Sequence, residues 1–125
     1  MAIVAALVAT AILFVLALFQ AALIAGAPLG RLAWGGQHAV LPVGLRLGSV
    51  AAIPIYMLIA SLLLQKAALA AIWPEAWIGV GVWIVVGYFA LGVPLNAISR
   101  SRPERWVMTP VVTVLVASSL VLALI

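Results

Sequence analysis

Cysteine and aspartate are absent from this chain of 125 residues, histidine occurs once, and glutamate twice. Without cysteine there is no disulfide, thiolate metal site, Fe–S cluster or thiol nucleophile. His38 is the single imidazole, and Glu75 and Glu104 are the only side-chain carboxylates. One chain therefore cannot assemble a bis-His haem, a Ser-His-Asp triad or an ordinary multi-ligand metal site. The expectation is a protein with no cofactor and no bound metal. Charge is scarce too: charged residues make up 6% of the chain, against roughly 25% in soluble domains. Hydrophobic residues make up 69%, well above the roughly 45–50% of a globular domain. So little polar surface excludes a soluble domain, and so much apolar surface excludes a disordered chain.

The apolar residues fall in four runs, about 2–25, 45–64, 77–98 and 102–125. At 1.5 Å per residue, a helix of about 20 residues crosses a hydrocarbon core. The expected fold class is all-α: a polytopic membrane protein, one four-transmembrane-helix bundle forming a single membrane domain over 1–125. The first run ends in Ala25-Gly26-Ala27, which has the form of a signal-peptidase site. The run lacks a basic n-region and exceeds the usual h-region, so it is read as a membrane helix. The last run admits two starts. Ser101-Arg102-Pro103-Glu104 has the capping-box pattern with proline in the first turn, which starts the helix near Arg102 and leaves Pro110 inside it. Alternatively Thr109 is the cap and Pro110 the first helical residue, which makes the helix short for a bilayer.

Basic residues set the orientation. Arg31 and Arg46 lie in the first connection and Arg100, Arg102 and Arg105 in the third, against Lys66 alone in the second. The positive-inside bias predicts that connections one and three are cytoplasmic and both termini extracytoplasmic, in a bacterial inner membrane. Trp34 and Trp106 fall at the inner interface, and Trp73 and Trp77 at the outer one. A net charge of +4 is here a topology signal, and no nucleic-acid partner is expected.

Small residues recur at helical spacing, as Ala17, Ala21 and Ala25, then Ala22, Gly26 and Gly30, and again as Gly79, Trp83 and Gly87 with Gly92 beyond. Such stripes let backbones approach closely, within one chain or between copies, so a homo-oligomer is expected. Pro54 and Pro94 lie inside membrane runs and should free the carbonyls of Val50 and Ala90. Tyr56 and Tyr88 fall near mid-membrane, and a buried hydroxyl seeks a partner. With Asn96, these residues outline a candidate polar pocket. The competing reading is a pair of ordinary kinks with internally satisfied tyrosines.

The remaining polar residues concentrate in Gly30-Arg31-Leu32-Ala33-Trp34-Gly35-Gly36-Gln37-His38 and in Ser99-Arg100-Ser101-Arg102-Pro103-Glu104-Arg105-Trp106. Arg100, Arg102 and Arg105 beside a helix start, with Arg31, Trp34 and Trp106, form a candidate anion or lipid site, because guanidinium forks and free helix N–H groups favour phosphate. Anionic membrane lipids are the expected ligand. The competing reading is that these arginines only set topology. His38 is a candidate pH-sensitive group, since an imidazole ordinarily titrates near neutrality. Glu104 reads as a helix cap paired with a nearby arginine. Gly35-Gly36 lacks phosphate-loop spacing and reads as a bend in the first connection.

Those two segments resemble small bacterial four-helix integral membrane proteins without an assigned activity, over nearly the whole chain. The resemblance implies a fold and a source class, not a mechanism. Small multidrug resistance transporters carry a carboxylate in the first membrane helix, which this chain lacks. Fluoride channels carry intramembrane Asn and Phe motifs that cannot be placed here, and quinone-reductase anchors use axial histidines inside their helices. The expected function is a non-enzymatic accessory, assembly or lipid- and partner-binding subunit with a basic cytoplasmic face. The alternative is a small oligomeric channel or transporter.

Overall fold

A computed structural model describes all 125 residues. It is all-α, with α1 (Ala2–Ile24), α2 (Val43–Lys66), α3 (Glu75–Ala97) and α4 (Arg102–Ala123), each long and apolar enough to cross a membrane. Two 3-10 turns, Gly30–Leu32 and Trp34–Gly36, lie in the first connection. The chain is thus a small multi-pass membrane protein.

The helix ends follow from local chemistry. Helices α2 and α3 begin two residues before their apolar runs because Pro42 and Pro74 occupy the N-cap positions. The Pro42 and Pro74 carbonyls accept the first helical bonds, from Arg46 N at 3.0 Å and Trp77 N at 3.0 Å. Helix α4 takes the longer of its two expected forms. It starts at Arg102, with Pro103 in the first turn and Pro110 inside. Ser101 Oγ accepts from Glu104 N at 3.5 Å, so the serine caps the helix as the sequence pattern requires.

Helix α1 closes on Gly26, at φ +92°. Ala27 N donates to Ala22 O at 3.0 Å, and Gly26 N to Leu23 O at 3.1 Å. That is the Schellman pattern, which needs a left-handed residue. Helix α2 ends in the same way, with Leu69 N donating to Leu64 O at 2.9 Å, but its left-handed residue is Ala68, at φ +62°. An L-residue with a Cβ is strained there by about 1 kcal/mol relative to glycine. Ala68→Gly is therefore expected to stabilise the bundle by several tenths to ~1 kcal/mol, as glycine's greater unfolded-state freedom offsets part of the gain. A rise in the denaturation midpoint measured in mixed micelles checks it; a fall would show that Ala68 is not strained.

The helices form an up-down-up-down ring. Helix α1 packs along α2, and α3 along α4, giving two hairpins. The hairpins meet mainly through α1 against α4, while α2 and α3 touch least among ring neighbours. The principal core sits away from the arginine-bearing connections. It joins Ala6, Ala9 and Leu13 of α1 to Leu63, Val82 and Leu122 of the other helices. Only 25 of 125 residues are buried, so most apolar side chains point outward, as lipid solvation permits.

The small-residue stripes of the sequence do not build this core. The close approach on α1 uses Ala5, Ala6 and Ala9 instead. Ala21 and Ala25 are exposed. Gly79 and Gly87 face open space, whereas Gly92 is the glycine held against α4, where a Cβ would sit 3.0 Å from Val112 Cγ1. Pro54 and Pro94 lie on the outer surface of helices that run through them.

Candidate site at the arginine end

The first connection folds into a compact cap. Gly35 and Gly36 both take positive φ, +79° and +69°, and Trp34, which opens the second turn, also takes φ +52°. That left-handed run reverses the chain and lays the loop on the start of α4, because glycine adopts this backbone without strain. Trp34 then covers α2. Its indole packs so close to Gly48 that a Cβ there would lie 2.8 Å from the ring. Trp34 Nε1 donates to the buried Ser49 Oγ at 3.2 Å. The loop also closes on itself, since Gly30 N donates to Ala39 O at 2.9 Å.

A serine pair fastens this cap to the third connection. Ser101 Oγ donates to Arg31 O at 2.5 Å while accepting from Glu104 N. Gly36 lies directly against Ser101: a Cβ on it would fall 2.2 Å from Ser101 Cβ. Ser99 Oγ accepts from Ser101 N at 3.2 Å and donates to Glu104 Oε2 at 2.5 Å. The expected pairing of Glu104 with an arginine is therefore corrected. The Ser99 hydroxyl takes that place, because it lies between the carboxylate and the N-cap amide that a capping box would otherwise join directly. Arg105 turns instead to the loop, with Nη1 donating to Ser99 O at 3.1 Å.

The other arginines sort by environment. Arg46 Nε donates to Leu41 O at 2.8 Å, and its guanidinium lies near Gly26 at the C-terminal end of α1, where the helix dipole favours a cation. Arg31, Arg100 and Arg102 are exposed, on the two segments that the Ser101–Arg31 bond joins. Trp106 is 72% exposed on the next turn, as a headgroup-level anchor would be. His38 is exposed, and it is its backbone carbonyl that packs against Gly30.

Behind the cap lies a cavity of about 380 Å³ between the helices. Tyr56, Tyr88 and Asn96 from the sequence reading all line it, and so do Trp34, Gln20 and Glu104. Pro54 and Pro94 do not. Gln20 Nε2 donates to the Tyr56 hydroxyl at 3.1 Å, and Asn96 Nδ2 donates to Gly92 O at 2.7 Å. Gln20 was legible as a polar interruption in the first apolar run, but nothing in the sequence paired it with Tyr56. A second, almost wholly apolar groove of about 300 Å³ separates α2 from α3, with Tyr88 shared between the two spaces.

The opposite end of the molecule is organised by one glutamine. Gln65 Oε1 accepts from Ile72 N at 2.9 Å and Trp73 N at 2.8 Å, while its Nε2 donates to Trp73 O at 2.7 Å and Glu75 Oε1 at 3.3 Å. Trp73 Nε1 donates to Ser61 Oγ at 2.9 Å, and its ring stacks on Trp77 at 6.4 Å. The Trp73–Trp77 pair is thus fixed in place by α2. Comparison with family models, curated proteins and solved structures found no match for this chain.

Proposed function

We propose that this protein is a non-enzymatic accessory or assembly subunit of a bacterial inner membrane, holding anionic lipid on an arginine-rich cytoplasmic face and presenting that face to a partner protein. The observation that carries this reading is the exposed group Arg31, Arg100 and Arg102, drawn from two separate connections and held together by the Ser101–Arg31 hydrogen bond. Guanidinium groups at headgroup depth recognise phosphate by charge and by paired N–H donors. Arg105 and Arg46 each give one N–H to a loop carbonyl, and their charge and remaining N–H groups stay available.

The proposed orientation places this face in the cytoplasm and both termini outside. A homo-oligomer fits the outward-facing Gly79 and Gly87, since an unused small-residue stripe can pack against another copy. A channel or transporter reading would need a polar path across the membrane. Here the cavity at the arginine end stops against the apolar core around Ala6, Ala9, Leu63 and Val82.

The test replaces Arg31, Arg100 and Arg102 together by glutamine. Each exposed arginine is worth about 1 kcal/mol beside anionic lipid, so preference for phosphatidylglycerol over phosphatidylcholine is expected to fall at least tenfold at low salt. Lipid retained through purification, quantified by mass spectrometry, gives the readout. A C-terminal reporter active only in the cytoplasm must stay silent in both proteins. Correctly oriented triple-glutamine protein with undiminished preference would reduce the arginines to a topology signal.

A further inference from the structure

Around the cavity, three side-chain oxygens are free to accept, and the hydroxyls of Tyr56 and Tyr88 are the free donors. Asn96 Nδ2 is committed to Gly92 O, which leaves Asn96 Oδ1 open. Gln20 is 8% exposed, and its Oε1 is buried without a partner. Glu104 is also 8% exposed; its Oε2 accepts from Ser99, and its other oxygen makes no hydrogen bond. Arg105, the adjacent cation, has turned to Ser99 O and does not neutralise that carboxylate. Around these acceptors stand the rings of Phe19, Trp34, Tyr56, Tyr88 and Phe89.

A carboxylate oxygen beside aromatic rings favours a cation, and the amide oxygens accept its further N–H groups. Ring quadrupoles attract positive charge, most strongly where water is excluded. Amide and carboxylate oxygens take N–H donors. The cavity is large enough for a small organic ligand, at the lower end of the roughly 300–1,000 Å³ of known small-molecule sites.

We infer that this cavity binds a membrane-soluble organic ammonium: its apolar body lies against the rings, and its protonated amine donates to the free oxygen of Glu104. Asn96 Oδ1 takes a second N–H. The sequence read Glu104 as a cap only. The structure lets one carboxylate do both, because the Ser99 hydroxyl engages just one of its oxygens.

The experiment is a fluorine NMR titration of the full-length protein in phosphatidylcholine nanodiscs, with empty nanodiscs as background. The probes are para-trifluoromethyl-benzylammonium and the matching benzyl alcohol, which has the same body without the charge. The ammonium is expected to bind about tenfold tighter or more, the ratio that one desolvated cation contact supplies. Glu104→Gln keeps a capping-box residue at this position. It is expected to erase the difference between the probes by removing the negative charge that favours the ammonium. The Arg31, Arg100 and Arg102 triple-glutamine protein, which loses the lipid face, is expected to keep the difference. Equal binding of the two probes by the unmodified protein would overturn the inference without any variant, and so would a Glu104→Gln protein that still prefers the ammonium.

Discussion

Gly36→Ala is expected to destabilise the bundle by about 3 kcal/mol, from left-handed backbone strain, overlap with a neighbour and loss of hydrogen bonding. The added methyl meets Ser101 Cβ at 2.2 Å and would lie 2.9 Å from Arg31 O, in a backbone at φ +69°. Relief requires the loop to lift from α4, and the Ser101–Arg31 bond goes with it. Gly35→Ala is the matched control. Its φ is +79°, but nothing lies within 4 Å of the new Cβ, so only the backbone strain of about 1 kcal/mol applies. Denaturation in mixed micelles should separate the two by roughly 2 kcal/mol. Equal losses would mean that the contact between loop and α4 contributes nothing.

Gln65→Leu is expected to cost about 2–4 kcal/mol, because it removes one side chain that meets four partners. The amides of Ile72 and Trp73 lose their acceptor and the carbonyl of Trp73 loses its donor. Interfacial water recovers part of this, which keeps the figure below the sum of three orphaned groups. Trp73 should also swing away from Ser61 and Trp77, seen as a red shift and broadening of tryptophan emission. Because this connection lies at the opposite end from the arginines, lipid preference should stay intact. A Gln65→Leu protein with wild-type midpoint and emission would show that water replaces the glutamine fully.

The four helices were legible because length and apolarity alone decide a membrane span, and the S-x-x-E pattern at Ser101 located the start of α4 correctly. The starts of α2 and α3 were misjudged by two residues because the apolar runs were weighed above Pro42 and Pro74, residues that end one conformation and begin another. The small-residue stripes were real as patterns, but spacing cannot say which face of a helix turns inward when every face is apolar. In water, the polar side would have marked the outside. In lipid that signal vanishes, and Ala5, Ala6 and Ala9 read no differently from Ala17, Ala21 and Ala25. The pairing of Gln20 with Tyr56, the Gln65 network and the meeting of Gly36 with Ser101 all join residues on different elements. Such contacts follow from how hairpins dock, and a single sequence carries no mark of them. Tyr56 and Tyr88 could be grouped by depth, and Asn96 lies nearer the arginine end of the same cavity, whereas Pro54 and Pro94 face outward.

The bond from Ser101 to Arg31 spans 70 residues and crosses between the two helical hairpins. Each hairpin carries its own arginines: Arg31 in the first, Arg100 and Arg102 in the second. Before docking these charges are two weak, separate spots. Once α1 settles on α4 and the loop closes over Ser101, they become one surface. If lipid phosphate binds there as proposed, contact with the arginines of both hairpins would recognise only the completed molecule and by mass action would hold the hairpins together. On the proposed reading the arginine face is in that sense a signature of finished assembly: a half-built chain would not display it, and a bound lipid would act as the clasp.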